Sequence, residues 1–233
     1  MIALFTTKTK HHVFFENKIF NKYKKIITIY ETRSIKPKFS IKTYFESQRE
    51  LYEKKKYFKC KKFYFQSKSF KVQNINSKQT LNILKKNNIN FILVFGTRKI
   101  SSKIVKKFNN KIFNLHGGNP EKYRGLDSHY WSIYHNDFNL STCLHILNTK
   151  LDDGKIIFLK KIKLKKKMKI YKLRDLNTSN CIFMVLKLLK KLELKKKIKL
   201  TKQKNVGRYY SFMPSQLKKI IENKFNSFCK KNK

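Results

Sequence analysis

The pattern of apolar and polar positions changes period several times along the chain, and each change marks an element. Ile2–Phe5 is a short unbroken apolar run that turns polar at Thr6, the pattern of a buried strand. A helix-like spacing follows from about His11 to Tyr23, and the β-branched Ile26–Tyr30 predicts a second strand. Between Pro37 and Lys71 lysines and aromatics mix without a sustained period, which reads as a helix and an irregular connection. Leu81, Ile83 and Leu84 mark a helix, and Ile89–Phe95 is the clearest strand, stopped by Gly96. The spacing then predicts a helix over Ser101–Phe108 and a short strand over Lys111–Leu115. Another helix runs from Ser128 to about His135, capped by Asp127 or Ser128. Thr142–Leu147 and Lys155–Lys163 read as further strands, and Ile182, Val185, Leu186 and Leu189 set a long helix over Thr178–Lys195.

Strands alternating with helices predict an α/β fold whose mainly parallel sheet is closed by a mixed edge. Ligands bind such sheets beyond the carboxyl ends of the strands. Thr6–Lys10, Gly96–Lys99 and His116–Gly118 all follow strands in this reading, so all three should border one crevice.

Composition changes this picture little. At 233 residues the chain suits one sizeable domain, or one domain with a small appendage. The formal net charge of +44 would ordinarily point to nucleic acid or an anionic membrane. Only six of the 57 basic residues are arginine, however, and lysine rises together with Asn, Ile, Phe and Tyr. Base readout and bidentate phosphate binding favour arginine, so most of the lysine reads as compositional drift on a solvated surface. Such a surface should still draw anionic substrates. Cys60, Cys143, Cys181 and Cys229 have no CxxC spacing, which argues against zinc and a disulfide framework and fits a reducing cytoplasm. The apolar start is too short for a signal peptide, and no apolar run reaches membrane-spanning length, so the expectation is a soluble cytoplasmic protein.

From Ile112 to Thr149 the lysine excess stops: the basic residues there are Lys122 and Arg124, against Glu121, Asp127 and Asp137. This segment holds Asn114-Leu115-His116-Gly117-Gly118, then Tyr123-Arg124-Gly125, and leads to Leu151-Asp152-Asp153-Gly154. Asn114 and His116, two residues apart on an extended segment, project to the same side. The two glycines let the backbone turn and approach a ligand closely. An amide beside an imidazole suits acyl transfer, the amide donating to a developing oxyanion while the imidazole moves protons. Asp152 offers a carboxylate to orient His116 and raise its pKa. Taken singly, Asn-x-His is also an ordinary strand-end turn, and Asp-Asp-Gly an ordinary loop.

Together, Phe113-Asn114-Leu115-His116-Gly117-Gly118-Asn119-Pro120-Glu121-Lys122-Tyr123-Arg124-Gly125 and Leu151-Asp152-Asp153-Gly154-Lys155-Ile156-Ile157 resemble the formyltransferase family that uses 10-formyltetrahydrofolate. Strong similarity covers about Ile89 to Phe158. The resemblance implies a Rossmann-like formyltransferase fold in which Asn114, His116 and Asp152 are catalytic. It places Phe95, Gly96, Thr97, Arg98 and Ile100 on the folate side, with Asp153 and Gly154 opposite. His11, His12, Gly117, Gly118, Tyr123 and Arg124 fall on the acceptor side. For Arg98 and the two histidines, a solvent-facing or helix-starting role is the alternative; His129 reads equally as packing or contact, and Trp131 as packing. Gly117-Gly118 stands where common members read Pro-Ser. The longer His-Gly-Gly-Asn-Pro-Glu-x-Tyr-Arg-Gly-Leu-Asp-Ser-His form resembles the branch acting on nucleotide sugars, as does the Gly207-Arg208-Tyr209-Tyr210-Ser211-Phe212 tail. The expected partner is therefore a small-molecule amine, a nucleotide sugar first and methionyl-tRNA or phosphoribosylglycinamide second, with no membrane and a homodimer left open. A catalytically inactive RNA-associated protein on the same scaffold is the alternative of another class. The chain divides in this reading into a catalytic domain over 1–165 and a helical C-terminal extension over 166–233.

Overall fold

The computed structural model describes residues 1–32 and 37–231. Its elements, in chain order, begin with β1 (Ile2–Thr7), α1 (Lys10–Lys22), β2 (Ile26–Glu31), α2 (Tyr44–Phe58), β3 (Ser69–Val72) and α3 (Lys78–Lys86). β4 (Phe91–Val94), α4 (Ser102–Lys107), β5 (Ile112–His116), β6 (Tyr123–Gly125), α5 (Ser128–Tyr134), β7 (Ser141–Ile146) and β8 (Ile156–Lys161) follow. The chain closes with α6 (Leu173–Glu193), β9 (Arg208–Tyr210) and α7 (Ser215–Lys231).

Seven strands form one sheet in the order β3-β2-β1-β4-β5-β7-β8. β3 through β5 are parallel neighbours, whereas β7 and β8 run antiparallel and supply the expected mixed edge. Strand alternation sorts β1 between two cores. Ile2 and Leu4 meet Phe15 and Ile19 of α1 and Cys181, Val185 and Leu188 of α6. Ala3 and Phe5 meet Ile83 and Leu84 of α3 and Ile104 of α4 on the other face. A third cluster joins Phe45, Ile133, Met213, Ile221 and Phe225, drawing α2, α5 and α7 together beyond the strand ends.

Several expectations shift in detail. The stretch between Pro37 and Lys71 holds the expected helix, α2, but also begins β3, an edge strand whose Ser69 and Lys71 are exposed, so its alternation carries too few apolar residues to stand out. α6 starts five residues before Thr178, because Leu173 and Asp175 are buried within its first turn. Asp127 stands at the N-cap of α5 but makes no capping bond: its φ is 50°, and its carboxylate accepts from the Met213 backbone N–H at 2.9 Å. Tyr123–Gly125, for which no element was expected, is a strand paired in parallel with β9.

Among the described residues, no helix is long and apolar enough to cross a membrane.

Candidate active site

β1 and β4 lie side by side, but their onward connections go to opposite halves of the sheet. This switch point opens a crevice at their carboxyl ends, and a cavity of about 750 Å³ occupies it. Gly96–Lys99, His116 and Gly117 line it as the sequence implied; Thr6–Lys10, also expected there, does not, and His11 and His12 of α1 line it instead.

Asn114 and His116 share one face of β5, opposite the core-facing Phe113 and Leu115. Asp152 reaches them from the β7–β8 loop in a left-handed conformation, φ 49°. Its Oδ1 accepts from Asn114 Nδ2 at 3.2 Å, and its Oδ2 accepts from the Gly125 N–H at 2.9 Å while standing 3.5 Å from His116 Nδ1. His116 Nε2 lies 2.8 Å from the Tyr123 carbonyl, which can only accept. The neutral ring therefore carries its proton on Nε2 and keeps a lone pair on Nδ1, beside Asp152.

Burial lowers the His116 pKa below the ordinary histidine value; Asp152 and the Tyr123 carbonyl pull upward without overcoming it. The carboxylate thus acts in the expected direction, but desolvation outweighs it, and His116 is neutral at pH 7. Burial opposes the charge of Asp152 as well, yet the field of His116 and the Gly125 N–H hold its pKa well below the usual carboxylate range.

Sequence reasoning missed His145. It pairs directly with Asn114 across β5 and β7, beside a bulge at Leu144/His145, a feature common next to active sites. Its Nδ1 lies 2.9 Å from the Ile146 carbonyl, so the Nε2 lone pair faces Asn114 Nδ2 at 3.0 Å. Both Asn114 amide hydrogens are thus directed at neighbours, and Asn114 can donate to an oxyanion only by exchanging one of them. A strand read without its pairing register gives no sign of this contact.

Of the residues expected on the folate side, Phe95, Gly96, Thr97, Arg98 and Ile100 line the cavity. Phe95 and Ile100 are buried apolar surface, with Leu147 and Leu151 across the cavity. Gly96 has φ 72°, and a Cβ there would sit 2.3 Å from His12 Nε2. Arg98 is not a solvent-facing helix start: Glu31, at the end of β2, accepts from its backbone N–H at 2.8 Å and from its Nε at 2.7 Å. Gly154 does not line the cavity; a Cβ there would fall 1.6 Å from the Ile146 carbonyl oxygen, so the loop bearing Asp152 closes tightly on β7. Asp153 pairs with Arg124 at 3.0 Å, also away from the cavity.

Of the residues expected on the acceptor side, His11 and His12 hydrogen-bond Thr9 and Thr7 through Nδ1 at 3.0 and 2.8 Å. Burial, with the neighbouring positive charges, lowers His11 well below its ordinary value and His12 to about 3. Neutral imidazoles suit a hydroxyl or amine better than a phosphate charge. Gly117 lines the cavity, whereas Gly118 is tucked against Ser128. Tyr123 stacks with His135 and packs at a tilt against Tyr210, and Arg124 is buried with Pro120 and Gln203 as partners, so both support the wall from behind. Trp131 packs on Tyr210, as expected of a packing residue, and donates from Nε1 to the Ser211 carbonyl.

The far wall was also missed. Glu46 and Arg49 from α2, Arg174 from α6 and Lys218 from α7 line it as an interlocked charge network. The retrospective signal is arginine itself: in a chain swamped by lysine, Arg49, Arg98, Arg124 and Arg174 all stand at or beside this cavity.

Comparison with known proteins gives a consistent result. The methionyl-tRNA formyltransferase of Finegoldia magna is 31% identical over 104 residues, 44% of this chain and 34% of that protein. The chain thus matches about a third of the length of that curated relative. The formyltransferase PseJ of Anoxybacillus kamchatkensis, solved with UDP-4,6-dideoxy-4-formamido-L-AltNAc and tetrahydrofolate, aligns at a TM-score of 0.57 and 18% identity, covering 90% of this chain and 85% of that one. Phosphoribosylglycinamide formyltransferase from Anaplasma phagocytophilum aligns at 0.62 and 13% identity, covering 91% and 98%. At such identities these structures share the fold alone. The formyl transferase family model matches residues 13–178, from within α1 into α6 and across Asn114, His116 and Asp152. On that match, this chain belongs to the formyl transferase family.

Proposed function

We propose that the chain transfers a formyl group from 10-formyltetrahydrofolate to a primary amine, and that the amine belongs to a sugar carried on a nucleotide. The observation that carries the chemistry is the convergence of an amide, a neutral imidazole and an ionised carboxylate on one cavity wall, with Asp152 3.2 Å from Asn114 and 3.5 Å from His116. The cavity fits the donor: Phe95, Ile100, Leu147 and Leu151 offer apolar walls for a flat heterocycle, with the 96–99 loop also lining it. When bound, the folate supplies the formyl carbon.

The chain's own residues account for the rest. Neutral His116 takes the proton of the attacking amine on Nδ1, Asp152 stabilises the imidazolium that results, and His116 then hands that proton to the departing folate nitrogen as its bond to the formyl carbon breaks. Asn114, releasing His145 or Asp152, donates to the oxyanion that develops on the formyl carbonyl. The buried setting excludes water and strengthens both interactions.

For the acceptor, support comes from the His116-Gly117-Gly118 form, from the neutral His11 and His12 suited to sugar hydroxyls, and from the nucleotide-sugar product in the PseJ complex. A second reading, methionyl-tRNA, is favoured by the Finegoldia relative. The test is formyl transfer from 10-formyltetrahydrofolate to a panel of UDP- and dTDP-linked amino sugars, phosphoribosylglycinamide and methionyl-tRNA. Turnover of an amino-sugar nucleotide with none of the other two supports the proposal; turnover of methionyl-tRNA alone replaces it with the second reading.

A further inference from the structure

The segment 201–213 lies beyond the residues matched by the family model, yet it is threaded into the loop that carries Asp152. It enters through a bridge in which Thr201 and Ile156 exchange backbone hydrogen bonds of 2.9 and 2.8 Å. It leaves through β9, which pairs with β6 at the Gly125 whose N–H holds the Asp152 carboxylate. Between these anchors stands Gln203, which uses both ends of its amide. Its Nε2 donates to the carbonyls of Asp152 and Gly154, each at 2.8 Å, and its Oε1 accepts from Arg124 Nη2 at 2.8 Å. Arg124 extends the link to Asp153 at 3.0 Å and to the Pro120 carbonyl at 2.9 Å.

This contact falls where the loop needs it. Asp152 has a φ of 49°, which residues other than glycine adopt at a cost and keep only when their surroundings over-determine it. Gly154, two residues on, is pressed against Ile146. Gln203 grips the carbonyls on both sides of Asp153 from outside the cavity, while the Asp152 side chain points inward to His116. The backbone is thereby fixed from one side and the carboxylate presented on the other.

We propose that Gln203 is a positioning residue for Asp152, so that the C-terminal segment is part of the catalytic unit. The proposal rests on the reading of His116 and Asp152 as a working pair. If Gln203 sets the distance between that carboxylate and the imidazole, loosening it weakens the one charge that raises the His116 pKa, and the His116 titration moves to lower pH. A purely structural role would lower stability and leave that titration in place.

The test is histidine titration by NMR on the full chain, which needs no acceptor, with the His116 resonance assigned from its loss in His116→Asn. Gln203→Met keeps the volume and removes all three hydrogen bonds; Gln203→Ala is the second variant should the first fold poorly. Asp152→Asn calibrates the full effect, and Lys202→Ala, an exposed neighbour, is the control. The expected result is a His116 midpoint shifted down in Gln203→Met, in the direction of Asp152→Asn and smaller, with Lys202→Ala at wild type. With an acceptor from the panel above, kcat should fall on the order of tenfold or more, as small misplacements of reacting groups do, and KM less. A wild-type midpoint in both Gln203 variants, with Asp152→Asn shifted, overturns the positioning role and leaves the site reading intact. An unshifted midpoint in Asp152→Asn breaks the Asp152–His116 pair itself, and the proposal with it.

Discussion

Glu53→Gln is the sharpest structural prediction. Glu53 of α2 is fully buried, and its carboxylate takes both arms of the Arg174 guanidinium from α6, Nε at 2.7 Å and Nη2 against the second oxygen. Removing one partner of a buried pair costs about 3–5 kcal/mol, because it strands the other charge. Arg174 keeps Glu50 at 2.7 Å, and its side chain is 22% exposed, so the loss should sit at or below the lower end, about 2–3 kcal/mol. For a chain of this size each kcal/mol moves Tm by about 2–4 °C, which gives a fall of about 4–12 °C by circular dichroism or calorimetry. The double variant Glu53→Leu/Arg174→Met should melt closer to wild type than Glu53→Gln, since a packed apolar pair replaces the ionic one without an orphan charge. A Glu53→Gln protein melting within about 1 °C of wild type would refute the reasoning, as the pair would then contribute no more than an exposed one.

Other perturbations read the remaining parts of the structure. Burial raises the Glu50 carboxyl, but Lys10 and Arg174 outweigh it and bring it from 4.5 to about 2; its folded-state value is depressed, so the stability it contributes is present above pH 4.5 and lost as pH falls towards 2, and Glu50→Gln should flatten acid unfolding in that window. His116 works as the neutral ring with a lowered pKa, so the acidic limb of kcat should inflect below 6.5, and an inflection above 6.5 would count against the assigned balance of burial and charge. Glu31→Gln removes the charge that pins Arg98; it should raise KM for 10-formyltetrahydrofolate more than it lowers kcat, an equal fall in kcat and kcat/KM being the contrary outcome. Gly154→Ala has no room beside the Ile146 carbonyl, so the loop must move and activity should fall by about a hundredfold; near-normal turnover would show that the Asp152 loop tolerates displacement.

How much of this was legible beforehand follows from which residues make their contacts locally. β1 and β4 are dense apolar runs and β5 carries Ile112, Phe113 and Leu115, and periodicity found all three within a few residues. Asn114 and His116 were legible because two residues along a strand fix a shared face, and Asp152 because its glycine-bounded loop stood out once joined to them. His145, Glu31 and Gln203 were invisible for a common reason: each acts through a partner dozens of residues away, set by strand register or by the return of the C-terminal segment. β3 escaped because a short edge strand with exposed Ser69 and Lys71 carries almost no hydrophobic signal, and β6 because its three residues, Tyr123-Arg124-Gly125, show no apolar alternation. The charged far wall was masked by composition, since one arginine or glutamate among so many lysines has no period to announce it.

The central claim, that Asn114, His116 and Asp152 together move a formyl group, meets its most direct test in the purified chain and its His116→Ala variant. Each would be given 10-formyltetrahydrofolate and the acceptor panel, and formylated product followed by mass spectrometry. The account predicts transfer by the wild type and a fall on the order of a hundredfold or more in the variant; a His116→Ala protein that formylates at the wild-type rate would contradict it.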